Sequence, residues 1–119
     1  MDCEIAEFYN EELVEARKEH KCCETGRVIK KGESYWRCTG KWDGEIQTYK
    51  QSQSAYHFAR HLNSKIYPNE PQECVPFGCI GEDIQEWVTY GVDLNPYAIV
   101  WDKILKGELE FGPDDSVNE

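Results

Sequence analysis

The feature that most constrains the fold is a β-prone segment over residues 26–50, interrupted by glycines and followed at once by a helical pattern. Runs of β-branched and aromatic residues flank the pair Asp43-Gly44. An Asp-Gly pair in such a setting is a strong signal for a two-residue hairpin turn, because both turn positions need a positive φ. The segment therefore predicts a small β-hairpin or meander.

Helical signals precede and follow this segment. Residues 7–19 are rich in Glu, Leu, Ala, Arg and Lys, so their composition predicts a helix with Asn10 as the N-cap. Residues 52–65 repeat apolar side chains at helical spacing, and either Ser52 or Ser54 is suited to cap the start.

Two further helices are predicted in the last third of the chain. Residues 82–90 begin with acidic side chains and end at Gly91, as a helix dipole and a C-terminal glycine favour. Residues 96–106 carry the clearest apolar stripe, with Asn95 as the N-cap. The 119 residues are thus predicted to form one α+β domain: a hairpin or meander, a following helix and a C-terminal helical pair, with a frayed tail over 113–119.

Charge is distributed unevenly along the chain, whose formal net charge is −10. Residues 22–65 hold eight bases against four acids, whereas residues 66–119 hold two bases against twelve acids. This contrast divides the domain into a basic part, about 22–65, and an acidic helical part, about 66–112. The aromatic content of 13% argues against a disordered acidic tail. No apolar run approaches the roughly 18 residues of a membrane span.

Six cysteines are numerous for a chain of this length. The acidic N-terminal sequence is unlike a signal peptide, which predicts a cytoplasmic protein with reduced thiols. Cys74 and Cys79 flank a Val-Pro-Phe-Gly turn, and both a disulfide across that turn and two buried thiols stay open as interpretations.

Several motifs are shared with a known family: ARKEHKCCE over residues 16–24, GE-x-Y from Gly32, G-x-WDG from Gly40 and PFG from Pro76. On these motifs, over about residues 15–90, the chain resembles small phage and prophage proteins with a treble-clef zinc-knuckle outline. The resemblance implies a mobile-element origin and a knuckle, hairpin and helix in that order. The family's zinc ligands would fall at positions that here read Cys22, Thr25, Ser52 and Ala55. The resemblance therefore implies a degenerate zinc finger that has lost three of its four ligands.

The residues themselves suggest one way to rebuild a metal site. His57 and His61 are spaced i, i+4 on the predicted helix and share a face, and Cys22, Cys23 or Cys38 would complete a Cys/His zinc ligand set. The alternative is that the histidines are solvated and the cysteines fill a small core. No cofactor is predicted, with zinc at this rebuilt site as the alternative.

No catalytic motif marks the chain as an enzyme, and it is predicted to be a non-enzymatic binding protein. The first functional hypothesis is an acidic interaction protein that inhibits a host nucleic-acid-binding defence complex, as anti-CRISPR proteins do. It would act by nucleic-acid mimicry or steric block, presenting acids to a basic partner surface. The predicted partner-binding residues are Glu82, Asp83, Glu86, Asp93, Asp102, Glu108 and Glu110.

The second hypothesis is a nucleic-acid-binding accessory protein that uses the basic middle segment. Aromatic residues interleave with the cations there, a pattern suited to stacking on unpaired bases. The aromatic side chains are Tyr35, Trp36, Trp42 and Tyr49. The cations are Arg27, Lys30, Lys31, Arg37, Lys41 and Lys50.

Overall fold

The structure is a computed structural model, and it describes residues 8–66 and 80–118. Five strands precede three helices within these residues. The strands are β1 (Phe8–Glu15), β2 (His20–Lys21), β3 (Val28–Ile29), β4 (Ser34–Trp42) and β5 (Glu45–Gln51). The helices are α1 (Gln53–Ile66), α2 (Ile80–Thr89) and α3 (Asn95–Leu105). The predicted α+β class, with a hairpin, a following helix and later C-terminal helices, is confirmed.

The main sheet has three antiparallel strands in the order β1-β4-β5, and β2 and β3 form a separate two-stranded sheet. The hairpin between β4 and β5 turns at the predicted pair, where φ is 51° at Asp43 and 78° at Gly44. Positive φ at both positions matches the right-handed twist of the flanking strands, so this local signal is sufficient to set the turn.

The helix predicted over residues 7–19 is wrong. Residues 8–15 are β1, which pairs along its whole length with β4, from Phe8 opposite Lys41 to Glu15 opposite Ser34. Helix propensity amounts to a few tenths of a kcal/mol per residue, and ladder hydrogen bonds and packing readily exceed it. A partner strand about 25 residues away in sequence therefore decided this segment.

Helix α1 follows β5 directly and lies against the main sheet. The Oγ of Ser52 accepts a hydrogen bond from the N–H of Ala55 at 3.4 Å, so Ser52 caps the helix. Ser54 instead contacts the C-terminal segment: its Oγ donates to Glu110 at 2.5 Å and accepts from the N–H of Phe111 at 3.1 Å.

Helices α2 and α3 are joined by a short turn and pack on each other, and α3 also packs on α1. Gly91, at φ 90°, follows α2 as predicted. The predicted N-cap of α3 is wrong: Asn95 is the first helical residue and its N–H donates to Oδ1 of Asp93 at 3.2 Å. The carboxylate of Asp93 therefore satisfies a backbone donor at the start of α3.

The hydrophobic core lies where α1, α3 and the C-terminal segment meet. Phe58 of α1 is fully buried, and its ring is stacked on Trp101 at 5.2 Å and edge-on to Phe111 at 5.5 Å. Residues 113–118, predicted to fray, lie outside helices and strands, but Val117 is buried and its N–H donates to Nε2 of His61 at 3.1 Å. This segment is therefore anchored against α1.

Candidate functional site

The strand register divides the side chains of the main sheet between two faces, because successive residues of a strand point to opposite sides. One face, the cationic face, carries Phe8, Asn10, Glu12, Val14, Tyr35, Arg37, Thr39, Lys41, Ile46, Thr48 and Lys50. The other, the aromatic face, carries Tyr9, Glu11, Leu13, Trp36, Cys38, Gly40, Trp42, Glu45, Gln47, Tyr49 and Gln51. Contacts across the strands agree with this assignment: Arg37 pairs with Glu12 at 2.9 Å, and the hydroxyls of Thr39 and Thr48 are 3.2 Å apart.

Helix α1 packs on the aromatic face. The ring of Tyr56 stacks on Trp36 with centroids 4.0 Å apart and an interplanar angle of 8°. Its hydroxyl donates to Glu11 at 2.6 Å, and Arg60 pairs with the same carboxylate. Burial raises the pKa of Tyr56 to about 12, so this hydroxyl remains a donor at neutral pH.

This arrangement corrects the predicted stacking surface. Trp36, Trp42 and Tyr49 lie on the aromatic face, opposite to the lysines and arginines with which they alternate in sequence. Trp36 stacks on Tyr56, and Trp42 lies over the backbone of Gly40. Of the four predicted stacking residues, only Tyr35 shares the cationic face, and it is 5% exposed. The aromatic residues therefore serve mainly to build the sheet and its contact with α1.

A basic cleft of about 970 Å³ opens at the end of the cationic face where β1 ends and β4 begins. Its walls come from β1, the loop before β2, β2 itself, the turn before β4, and strands β4 and β5. Five cationic side chains and one carboxylate are among its lining residues, a composition that favours an anionic ligand. The cations are Arg17, Lys18, Lys31, Arg37 and Lys50, and the carboxylate is Glu15.

His20 adds a titratable group to the cleft. Its ring lies 5.4 Å from the ring of Tyr35. Desolvation, together with the positive charges of Lys50 and Lys18, lowers the pKa of His20 below its ordinary value. The imidazole is therefore neutral at pH 7, and the lysines supply the positive charge there.

The structure divides the six predicted nucleic-acid-binding cations. Lys31, Arg37 and Lys50 line the cleft. Arg27 lies elsewhere, beside Gly107 and 3.8 Å from a carboxylate oxygen of Glu110. Lys30 and Lys41 are outside the cleft lining, although Lys41 lies further along the cationic face.

Three cleft residues were missed by sequence reasoning: Arg17, Lys18 and His20. Arg17 and Lys18 fall in the segment 7–19 whose composition predicts a helix, and His20 follows that segment. The cluster Arg17-Lys18-His20-Lys21 is a short basic run, and it is the one signal that pointed to them.

The rebuilt zinc site is not assembled in this structure. Cys22 follows β2 in sequence and contacts the residue before α1: its Sγ accepts a hydrogen bond from the N–H of Ser52 at 3.4 Å. His57 lies edge-on to Trp36, whereas His61 stacks on Tyr97 and accepts from Val117. Within residues 8–66 and 80–118, no three His, Cys, Asp or Glu side chains are grouped so that they could hold a metal ion.

The three cysteines among the described residues are suited to packing. Cys22 and Cys38 are buried, and burial raises the pKa of the Cys23 and Cys38 thiols. The Cys23 and Cys38 thiols are therefore protonated at neutral pH, as packed cysteines are. The proposed Cys74–Cys79 pair lies outside the described residues.

A second cavity, of about 510 Å³, lies between the aromatic face, α1 and residues 112–115. Both histidines of α1 line it, together with Glu11 and Arg60. Burial lowers the pKa of His57, and the Nε2 of His61 accepts a backbone hydrogen bond from Val117. Arg60 and Glu11 neutralise each other in this cavity.

The predicted acidic surface needs one correction. Asp83 is fully buried, and neither carboxyl oxygen has a hydrogen-bond partner among the described residues. Burial, and secondarily the charge of Glu86, raise the pKa of Asp83 to about 6. Because α2 turns this residue inward, Asp83 cannot present its charge to a partner.

The other six predicted acids keep some access to solvent: Glu82, Asp93, Asp102, Glu108 and Glu110 are exposed, and Glu86 is half-buried. Some of them also make internal contacts. Asp102 pairs with Lys106 at 2.8 Å, and Glu110 contacts both Arg27 and Ser54.

Comparison with protein-family models, with curated proteins and with solved structures finds no match to this chain. The resemblance to phage and prophage proteins therefore stays a prediction. None of the helices in the described part of the chain is long and apolar enough to cross a membrane.

Proposed function

We propose that this chain is a non-enzymatic binding protein that holds the phosphate backbone of a nucleic acid in the basic cleft. The observation that carries the proposal is the composition of the cleft, whose lining includes five cationic residues and one acidic residue. Lysine and arginine side chains supply most of the affinity for a phosphate backbone by releasing its counterions. The cleft concentrates them within a chain whose net charge is −10.

The cleft charges come from separate parts of the chain, which makes the site a product of the fold. Lys18 precedes β2, Lys31 lies in the turn before β4 and Lys50 lies near the end of β5. Arg37 is in part neutralised by Glu12, at 2.9 Å. Arg17 and the three lysines therefore provide the positive charge that is most available to a ligand.

A charge-neutralising triple variant tests this proposal. Lys18→Gln/Lys31→Gln/Lys50→Gln removes three cleft charges, and Lys21→Gln/Lys30→Gln/Lys103→Gln removes three exposed lysine charges outside the cleft lining. Binding of labelled DNA and RNA oligonucleotides is measured by fluorescence anisotropy over a range of salt concentrations. The cleft variant is expected to lower the salt slope of log K by about 2, since each phosphate contact contributes about 0.7 on a single strand.

The control variant is expected to change that slope by less than about 1, because it retains the contacts in the cleft. Two results would overturn the proposal. One is that the unmodified protein fails to shift any oligonucleotide at low salt. The other is that both triple variants lower the affinity equally, which would indicate a dependence on net charge alone.

A second candidate function is favoured by the charge of residues 80–118, which hold nine acids against two lysines. We propose as the alternative that the exposed acids bind a basic surface on a host nucleic-acid-binding defence complex and inhibit it. Exposed acids on rigid helices steer association with such a surface.

Reversal of Glu82, Asp102 and Glu108 to lysine is expected to slow association with the partner and to weaken its salt dependence. Unchanged association kinetics in surface plasmon resonance would refute this role for the three acids.

A further inference from the structure

The cationic face continues beyond the basic cleft as an ordered array of side chains. The register of β1, β4 and β5 places them in rows that cross the sheet, and each row is two residues from the next. From the cleft outward the rows are Val14 and Tyr35; then Glu12, Arg37 and Lys50; then Asn10, Thr39 and Thr48; and finally Phe8, Lys41 and Ile46. Along β4 the rows extend about 20 Å, and across three strands about 10 Å.

The chemistry changes from row to row. The row nearest the cleft pairs Val14 with Tyr35, the second is charged, the third offers an amide and two hydroxyls, and the last combines a lysine with two apolar side chains. Phe8 is 46% exposed and Ile46 is 65% exposed, on either side of Lys41. Three cations and one carboxylate belong to this face, and that carboxylate, Glu12, is paired with Arg37. The face therefore complements an anionic ligand that also carries hydrogen-bonding and flat apolar groups.

We infer that the nucleic acid is a single strand, which runs from the basic cleft along β4 to the outermost row. This inference rests on the proposed function. A single strand displays both the faces and the edges of its bases, whereas a duplex hides the base faces in its stack. Phe8 offers a ring for base stacking, and Asn10, Thr39 and Thr48 offer donors and acceptors to base edges. Phosphates occupy the cleft, where the charge is concentrated.

The structure also excludes the arrangement that the sequence suggested for a single strand. The tryptophans and Tyr49 cannot stack on the same strand that contacts Arg37 and Lys50, because they lie on the other side of the sheet. Phe8 replaces them as the exposed aromatic side chain on the cationic face. Stacking on Phe8 thus distinguishes this path from binding by the cleft alone.

Phe8→Ala tests the path, and β1 itself provides a matched control. Leu13 lies on the same strand with a similar exposure, 51%, but on the aromatic face. Affinities are measured for oligothymidylates of about 4 and about 12 nucleotides, lengths that bracket typical single-strand sites. Phe8→Ala is expected to weaken binding of the longer oligonucleotide about tenfold and to leave the shorter one unchanged. Leu13→Ala is expected to change neither affinity by more than about twofold.

The outcomes separate this inference from the proposed function. If the cleft variant loses affinity for both oligonucleotides while Phe8→Ala has no effect, the cleft binds the backbone but the path along the sheet is wrong. If a duplex of the same sequence binds as tightly as the single strand, the path is likewise wrong. If neither oligonucleotide binds the unmodified protein, the proposed function itself fails. Melting temperatures of both single variants, measured by circular dichroism, are expected to agree within about 4 °C, which excludes unfolding as the cause.

Discussion

The two faces of the main sheet are built from the same three strands, yet they differ in almost every physical property. The cationic face carries three cations, and its outermost row exposes Phe8 and Ile46. The aromatic face carries two tryptophans and two tyrosines, and its Trp36 stacks on a ring of α1. Period-two alternation separates side chains that are neighbours in sequence. Proximity of basic and aromatic residues along the chain is therefore no measure of proximity in a binding site.

The same lesson applies to neighbouring acids in α2. Glu82 is exposed, whereas Asp83 is fully buried with no hydrogen-bond donor to its carboxyl among the described residues. One step along a helix rotates the side chain by about 100°, enough to move it from solvent to the interior. A count of acids in the sequence therefore overstates the acidic surface, and it does not reveal that Asp83 affects stability instead.

The largest expected effect comes from truncating each of two adjacent residues of β4 that lie on opposite faces of the sheet. Trp36→Ala removes the ring that stacks on Tyr56, and we expect it to lower the free energy of unfolding by about 3 kcal/mol, as for other aromatic truncations. Arg37→Ala, one residue later on the cationic face, is expected to cost less than about 1 kcal/mol because its ion pair is exposed to solvent. Urea denaturation followed by circular dichroism measures both values.

Nucleic-acid binding should show the opposite order for these two variants. Arg37→Ala is expected to weaken binding, since a cleft cation is lost, whereas folded Trp36→Ala is expected to bind normally. Measurements at low temperature keep the less stable variant folded. Equal losses of stability, or weaker binding by Trp36→Ala alone, would show that the two faces are not functionally separate.

A smaller effect is expected from the buried carboxyl of α2. The pKa of Asp83, about 6 in the folded protein, exceeds its ordinary value of 3.8. The folded state therefore binds more protons than the unfolded state between these values, and stability falls as the pH rises from about 4 to about 6. Asp83→Asn removes this titration and is expected to raise the free energy of unfolding at pH 7.5 by about 2 kcal/mol.

Glu82→Gln is the matched control for that prediction, because it removes one negative charge from the neighbouring, exposed position. Its effect on stability is expected to remain within about 0.5 kcal/mol at every pH. Thermal denaturation between about pH 4 and pH 8 compares the two variants with the unmodified protein. A pH dependence that persists in Asp83→Asn would show that another group is responsible.

The smallest predicted effect concerns the histidine of the basic cleft. His20 is neutral at pH 7, and protonation at lower pH adds a positive charge beside Lys18, Lys50 and the carboxylate of Glu15. Because the pKa of His20 is lowered, affinity for an oligonucleotide should rise by no more than about threefold between pH 7.5 and pH 5.5. His20→Gln is expected to abolish this rise, whereas His57→Gln, outside the cleft, is expected to retain it. Fluorescence anisotropy at constant ionic strength measures both variants.

Local signals predicted much of the fold. The Asp43-Gly44 turn and the helices after residue 51 agree with the sequence, because turn geometry and a helical apolar stripe depend on nearby residues. Strand β1 could not be predicted from the composition of residues 8–15. Its partner, β4, begins 26 residues after the start of β1, and no local propensity reports a pairing at that separation.

The candidate site was predictable only in part. Lys31, Arg37 and Lys50 belong to the basic middle segment, and their sequence context was sufficient to propose a nucleic-acid surface. Arg17 and Lys18 enter the cleft from a part of the chain with net negative charge. Arg27 belongs to the basic segment but is paired with Glu110 of the C-terminal segment. The position of Arg17 and Lys18 in the cleft, and that of Arg27 outside it, both arise from contacts between segments that are distant in sequence.

By itself, the sequence determined the hairpin turn, the three later helices and the opposition between a basic middle and an acidic final segment. Each depends on composition or on short-range periodicity. The tertiary structure alone decided that residues 8–15 form a strand, that the cations and tryptophans of β4 lie on opposite faces, and that Asp83 is buried. These features depend on strand register and helix orientation, which are set by packing between residues far apart in the chain.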